Sequence, residues 1–175
     1  MLKKFILLLC FIAPLALVAQ DKIAYVNAGE VFEKMPELKD IESKLAVKGE
    51  ALQKTAEAIQ TEYQTKMEAH TKKLQDFSEK GEASGITESE LQDGQKQLMQ
   101  LQERYETNMQ SAQAEYQKYQ QELLAPVHEK VRKAIKDVGD EQNYTYILDV
   151  SALLHVSPSA TNATQQVKTK LGITN

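Results

Sequence analysis

The sequence has almost no cysteine, and its single Cys10 lies within the first twenty residues. Those residues combine a basic start, an apolar stretch from Phe5 to Val18 and a small-then-polar boundary at Ala19 and Gln20, a pattern typical of a secretory signal peptide. The apolar stretch is short for a membrane-spanning helix. We therefore predict a signal peptide over residues 1–20. A cysteine-free exported chain favours the bacterial periplasm over a disulfide-stapled extracellular module.

Basic residues are also in deficit, with 21 Lys and Arg against 25 Asp and Glu and a formal net charge of −4. Removal of a signal peptide containing Lys3 and Lys4 would leave 19 basic against 25 acidic residues, a net charge of about −6. No block of Lys or Arg stands out to offset phosphate repulsion, so the composition argues against nucleic-acid binding.

The common motifs of catalysis are missing as well. There is no Gly-rich phosphate loop, no nucleophile elbow and no grouping of carboxylates that suggests a shared site. His70, His128 and His155 fall in three separate segments without the short spacing of metal ligands, so we interpret them as individual surface or interface residues. We predict no catalytic residue, no cofactor and no metal site, and hence a protein that is not an enzyme.

The chain is instead dominated by two long polar runs, Leu38 to Phe77 and Leu91 to Val138, in which apolar residues recur every three or four positions. The mean steps of about 3.5 and about 3.6 residues are those of amphipathic or coiled-coil helices. One apolar stripe on a wide polar face is too narrow for a globular core. The pattern predicts two long helices that pair with each other as a projecting hairpin.

Local signals place the tip and the ends of these helices. Glycines near Lys80 to Gly85 permit a chain reversal, and Thr87 followed by Glu90 forms a capping-box pattern. Pro126 predicts a kink in the returning helix, which we expect to end near Gly139.

Short strand patterns flank the hairpin in sequence. Lys22 to Asn27 is rich in β-branched and aromatic residues, as are Tyr144 to Val150 and Leu153 to Val156. A helical turn from Ala28 to Met35 and a closing helix from Asn162 to Leu171, with Thr164 as its cap, complete the prediction.

The predicted fold is mainly α with a small β body, with a long antiparallel coiled-coil hairpin that projects from it. We expect the body to comprise residues 21–36 and 140–175, and the hairpin residues 37–139 with its tip at about 80–87. So small a sheet exposes strand edges and buries little area, which favours oligomerisation without fixing the number of subunits.

Four passages resemble the Skp-like (OmpH) family of periplasmic chaperones: Lys22 to Pro36, Tyr116 to Val131, Asn143 to Asp149 and Val167 to Ile173. They occur in the order and spacing of that family. The resemblance implies a homotrimer in which the strands form a common body and the helical arms enclose a cavity. It also implies that the protein binds unfolded outer-membrane β-barrel proteins there, without ATP, and prevents their aggregation.

Under this resemblance the strand residues are candidates for the trimer interface, namely Ile23, Tyr25, Val26, Tyr146, Ile147, Leu148 and Val150. Side chains of the helical rows are candidates for client contact, namely Tyr63, Met67, Met99, Tyr105, Met109 and Tyr116. Adaptable Met side chains suit promiscuous binding. All of these except Met99 also lie on the apolar rows, and for them we favour packing between the helices over client contact.

The tip departs from the basic tips of well-known family members. Residues 76–93 contain six acidic side chains and Lys80, a balance of −5, which argues against binding of lipid or lipopolysaccharide. A different class of function, a coiled-coil scaffold or spacer of the cell envelope, would use the same helices to contact a folded partner.

Overall fold

The computed structural model describes residues 21–173, so the predicted signal peptide lies outside the described residues. The elements follow in the order β1 (Ile23–Val26), α1 (Ala28–Glu33), α2 (Glu37–Lys80), α3 (Glu88–Gln142), β2 (Tyr146–Asp149), β3 (Thr161–Asn162) and α4 (Thr164–Lys170). The chain is mainly helical with a small sheet, which confirms the predicted fold class. The elements divide into two compact units, residues 37–126 and residues 21–36 with 127–173, which we call the hairpin unit and the body unit.

Within the hairpin unit, α2 and α3 run antiparallel. Lys48 pairs with Glu115 and Lys66 with Gln97, so residues later in α2 contact residues earlier in α3. The buried side chains of the unit form a single seam along the predicted apolar rows, namely Ile41, Ile59, His70, Leu98 and Leu101. The two helical periodicities are therefore confirmed. Most other positions of the unit are exposed or half-buried.

The reversal between the helices is a short 3₁₀ segment, Gly81–Ser84, followed by Gly85 with a φ of 71°. The capping box is confirmed: the Thr87 N–H donates to the Glu90 carboxylate at 2.9 Å, and the Glu90 N–H donates to the Thr87 hydroxyl at 3.3 Å. These bonds satisfy donors that the first turn of α3 would otherwise leave open.

The body unit contains a parallel three-stranded sheet in the order β2-β1-β3. Pairing of Ile23–Val26 with the strand after the hairpin is confirmed, with Ile23 beside Tyr146 and Val26 beside Asp149. The prediction of a strand at Leu153 to Val156 is wrong. Asp149 accepts a hydrogen bond from the Ser151 N–H at 2.8 Å, and a 3₁₀ turn, Val150–Ala152, follows directly. The third strand of the sheet is β3, which begins only at Thr161.

The ends of two helices also differ from expectation. Helix α3 contains Pro126, where the kink stays a prediction, and it ends at Gln142 instead of near Gly139. Asn143, with a φ of 52°, supplies the left-handed residue that follows it. Gly139 lies inside the helix, where a Cβ would be in ordinary van der Waals contact, 3.5 Å from the Ile147 Cδ1. Thr164 is the first residue of α4 rather than its cap, because its hydroxyl accepts from the Asn27 N–H at 2.9 Å.

The core of the body unit is small and made largely of valine. Val26, Val31 and Val167 are its largest fully buried side chains. Polar groups that enter this core are paired: Lys168, itself buried, forms an ion pair with Glu30, and Asn27 caps α1 by accepting from the Glu30 N–H at 3.0 Å. These contacts tie the first and last segments of the described chain together.

Candidate functional site

Apolar side chains remain exposed along the hairpin unit, although its surface is otherwise polar. Met67 and Met109 lie on the predicted seam yet are nearly half exposed, and Met99 is more exposed still. Tyr63 and Tyr116 are half-buried. The helices therefore leave part of their apolar stripe open to solvent, where flexible Met and amphipathic Tyr side chains are available for contact.

A groove of about 690 Å³ opens between the two helices. Small residues on both sides, Gly49, Ala56 and Ala112, leave room that a larger side chain would fill. Three of the six predicted client-contact residues line it, namely Tyr105, Met109 and Tyr116. Its volume lies within the range of small-ligand sites in proteins.

The other three predicted contacts are dispersed. Tyr63 lines a neighbouring groove of about 300 Å³ with Leu101 and Tyr105. Met67 and Met99 line neither of these two grooves. The structure thus brings Tyr105, Met109 and Tyr116 together and leaves the two methionines as separate exposed positions.

Opposite charges join the helices at both ends of the larger groove. Lys48 and Glu115 form an ion pair next to Gly49, and the Arg104 Nη1 lies 3.3 Å from the Glu62 Oε2 next to Tyr105. At the tip, the hydrogen bond from the Thr87 N–H lowers the pKa of the Glu90 carboxyl. The charges next to both ends of the larger groove are thus paired between the helices.

His70 differs from the surface or interface residue that we predicted, because its ring is buried in the seam of the hairpin unit. Gly94 lies directly opposite: a Cβ at that position would be 2.4 Å from the His70 Nδ1. The Nδ1 has no hydrogen-bond partner among the described residues. Lys66, Lys73 and Asp93 are among the residues around the adjacent cleft.

The second candidate surface is one face of the sheet in the body unit. Alternation along the strands and the parallel register place Ile23 and Tyr25 beside Tyr146 and Leu148 on the same face. Ile23, Tyr146 and Leu148 are 50%, 57% and 42% exposed, so this apolar face is largely uncovered within one chain. We call it the open sheet face.

The remaining predicted interface residues do not lie on the open sheet face. Val26 is buried, and Ile147 packs beside Gly139 on the opposite face. Val150 begins the 3₁₀ turn and is half-buried. Three of the four residues on the open sheet face are exposed in one chain, and the interface role of all seven candidates stays a prediction.

Two parts of the candidate site were not predicted from the sequence. The first is the groove itself, for which the signal was the presence of Gly49 and small alanines on the apolar rows. The second is its border of glutamines, namely Gln53, Gln60, Gln110 and Gln113. Glutamine is common on exposed helix faces, so nothing in the sequence distinguished these four.

Between residues 21 and 173, no three acidic, histidine or cysteine side chains come together in the arrangement of a metal site. In the same part of the chain, none of the helices has an apolar stretch long enough to cross a bilayer. The apolar groove of the hairpin unit and the open sheet face are the candidate functional surfaces.

A long antiparallel helix pair inserted in sequence between the parallel strands of a small body defines a class of helical-hairpin proteins. A solved OmpH-like outer membrane chaperone from Caulobacter crescentus has this fold, with a TM-score of 0.68 and 16% sequence identity, over 87% of this chain and 85% of that one. The profile of the family described as "Outer membrane protein (OmpH-like)" matches residues 22–171. The chain belongs to this family.

The curated relatives have low sequence identity to this chain, but they match it over most of its length. The protein named Chaperone protein Skp from Photorhabdus laumondii is 27% identical over 153 residues, which cover 85% of this chain and 84% of the relative. A protein of the same name from Yersinia enterocolitica is 25% identical over 148 residues, covering 85% of each. The similarity therefore extends along both units.

Proposed function

We propose that this protein is an ATP-independent holdase chaperone that binds unfolded outer-membrane β-barrel proteins and prevents their aggregation. Membership of the OmpH-like family and relatives named Chaperone protein Skp support this function. The observation that carries it is the exposure of Met67, Met99 and Met109 on otherwise polar helices. An unfolded β-barrel exposes apolar strands and unpaired edges to water, and many weak apolar contacts can cover them and still allow release.

The function is tested by dilution of a urea-denatured outer-membrane protein into buffer containing the purified protein and no nucleotide. We expect light scattering to fall to near the buffer baseline at a near-stoichiometric amount of the chaperone assembly. Bovine serum albumin at equal mass serves as the control for unspecific protection. Unchanged scattering at an excess of the protein would refute the holdase function and leave the envelope scaffold or spacer as the alternative.

We also propose that the working form is a homotrimer assembled through the body unit. The open sheet face supports this, as do the outer edges of β2 and β3, since exposed apolar side chains and unpaired strand edges both favour association with another chain. Leu148→Asp should reduce the mass measured by light scattering from three chains to one, because it places a charge in the interface. Gln165→Asp, an exposed position of α4, should leave the mass unchanged. A trimeric mass for Leu148→Asp would place the interface elsewhere.

The proposed location is the periplasm, reached through the predicted signal peptide at residues 1–20. Mass spectrometry of the protein recovered from the periplasmic fraction should give a chain that begins close to Asp21. An intact N-terminus in the cytoplasmic fraction would contradict this proposal.

A further inference from the structure

The groove of the hairpin unit is bounded along its length by the two interhelical ion pairs, Lys48 with Glu115 and Glu62 with Arg104. Between them, small residues on both helices, Gly49, Ala56 and Ala112, leave space open beside the larger side chains of the lining. The span from residue 48 to residue 62 is about 21 Å at a helical rise of about 1.5 Å per residue. An extended chain covers that length with about six residues at about 3.3 Å each.

The floor of the groove is apolar, and its border carries a single charged residue. Leu52, Tyr105, Met109 and Tyr116 are the large apolar side chains of its lining. Glu57 is the one charged residue that the described chain places in this lining, and its Oε1 accepts a hydrogen bond from the Gln53 Nε2 at 2.8 Å. The other polar lining residues are Gln60, Gln110 and Gln113, so we call this surface the amide-rimmed groove.

This distribution of charge favours an uncharged ligand over a charged one. A charged side chain would lose hydration at the apolar floor, because the charges at both ends of the groove are already paired and the one carboxylate of the lining, Glu57, is exposed at the border. Glutamine amides offer both a donor and an acceptor, which match the unpaired N–H and C=O groups of an extended backbone. A neutral segment with apolar side chains therefore suits both the floor and the rim.

We propose that the amide-rimmed groove binds one extended, uncharged segment of an unfolded β-barrel client, with alternate apolar side chains on the floor and the backbone along the glutamines. Transmembrane β-strands have about 9 to 11 residues and alternate apolar with polar side chains. Such a strand presents one apolar row to the groove and its polar row to water. This inference rests on the proposed chaperone function and adds the binding site and the class of segment.

The test combines a substitution that fills the groove with a direct measurement of peptide binding. Ala112→Leu places a large side chain among the small residues of the groove, and Ala114→Leu is the matched control, because residue 114 is exposed on the same helix and is not part of the lining. The probe is a fluorescent eight-residue peptide that alternates Val or Tyr with Thr. Fluorescence anisotropy should show a Kd at least tenfold higher for Ala112→Leu and within twofold of the parent for Ala114→Leu. Equal affinity for all three proteins would overturn the inference.

A second measurement does not depend on the fit of a new side chain. Benzoylphenylalanine in place of Gln113 should crosslink the peptide on illumination, whereas the same residue in place of Gln121 should not, since Gln121 lies nine residues beyond Ala112 and on the other side of α3. Crosslinking from residue 121 alone would also overturn the inference. Replacement of the apolar peptide residues by Lys should weaken binding at least tenfold, and unchanged affinity would contradict selection for uncharged segments.

The aggregation assay separates this inference from the function on which it rests. Protection by the parent protein, with peptide binding unaffected by Ala112→Leu, would reject the groove and retain the chaperone. Peptide binding that depends on the groove, without any protection of a β-barrel protein, would reject the chaperone and retain a peptide site.

Discussion

The body unit and the hairpin unit bury their apolar residues in different ways. In the body unit Val31 and Val167 have no exposed surface, and the buried Lys168 is paired with Glu30. In the hairpin unit the buried positions are spread along one seam, and one of them, His70, leaves its Nδ1 without a partner among the described residues. Apart from its open sheet face, the body unit is closely packed around fully buried side chains, whereas the hairpin unit leaves apolar side chains accessible along both helices.

The difference in burial between the two units predicts where the chain tolerates substitutions. Loss of a fully buried side chain leaves a cavity or an unpaired group, and its cost grows with the rigidity of the surroundings. On a helix pair with a single seam, most side chains face solvent, so most substitutions there leave no cavity. We therefore expect client contact chiefly in the hairpin unit and stability chiefly in the body unit. Three substitutions can test the expected distribution of stability.

The largest expected effect is that of Val31→Asp. This substitution buries a carboxylate at a position with 0% exposure and should lower the free energy of unfolding by about 3 kcal/mol or more. Val47→Asp is the matched control in the hairpin unit, where the side chain is 66% exposed and a change within about 0.5 kcal/mol is expected. Thermal unfolding followed by circular dichroism at equal protein concentration measures both. Similar losses for the two variants would remove the contrast between the units.

An intermediate effect on the free energy of unfolding is expected where His70 and Gly94 face each other in the seam. Gly94→Ala gains about 1 kcal/mol of helix propensity but displaces the His70 ring, and overpacking costs about 1 to 3 kcal/mol. We expect a net loss of up to about 2 kcal/mol. In the His70→Ala background the same change should become stabilising, because the ring that it meets is gone. A double-mutant cycle by urea unfolding measures the coupling, and additive effects would show that His70 and Gly94 do not constrain each other.

The smallest expected effect concerns Asp149 of the body unit. Hydrogen bonds from the Ser151 side chain and N–H lower the pKa of this carboxyl below its ordinary value of 3.8. A lowered folded-state pKa stabilises the protein above that ordinary value, and the stabilisation disappears as the pH falls through the folded-state pKa. Asp149→Asn should therefore lower the melting temperature slightly at pH 7 and by less at pH 3. Ser151→Ala should reproduce part of the loss, and an equal deficit at both pH values would exclude the charge as its cause.

Much of the architecture follows from local patterns in the sequence. The apolar rows placed Ile59 and Leu101 in a seam, and the spacing of Thr87 and Glu90 located the start of α3. The pairing of the flanking strands followed from their β-branched and aromatic composition. Each of these signals is contained in a short segment, where propensity and periodicity act directly.

The elements that were missed depend on contacts between distant segments. Strand β3 has two residues, and its register with Ala24 and Tyr25 rather than its own composition makes it a strand. The role of Thr164 is decided by Asn27, far away in sequence. The groove likewise requires the antiparallel register of the helices, which places Gly49 opposite Tyr116. Periodicity within one segment carries no information on that register.

The parallel pairing of β1 with β2 also bears on how the chain reaches its native state. The two strands lie on opposite sides of the hairpin in sequence, so their pairing before the helices associate would require closure of a very long loop. Helix formation and zipping from the tip use contacts between near neighbours and are much faster than such closure. We expect the hairpin to form first and to bring the strand-forming segments together. The body unit, although it is the more tightly packed part, would then be the last to fold.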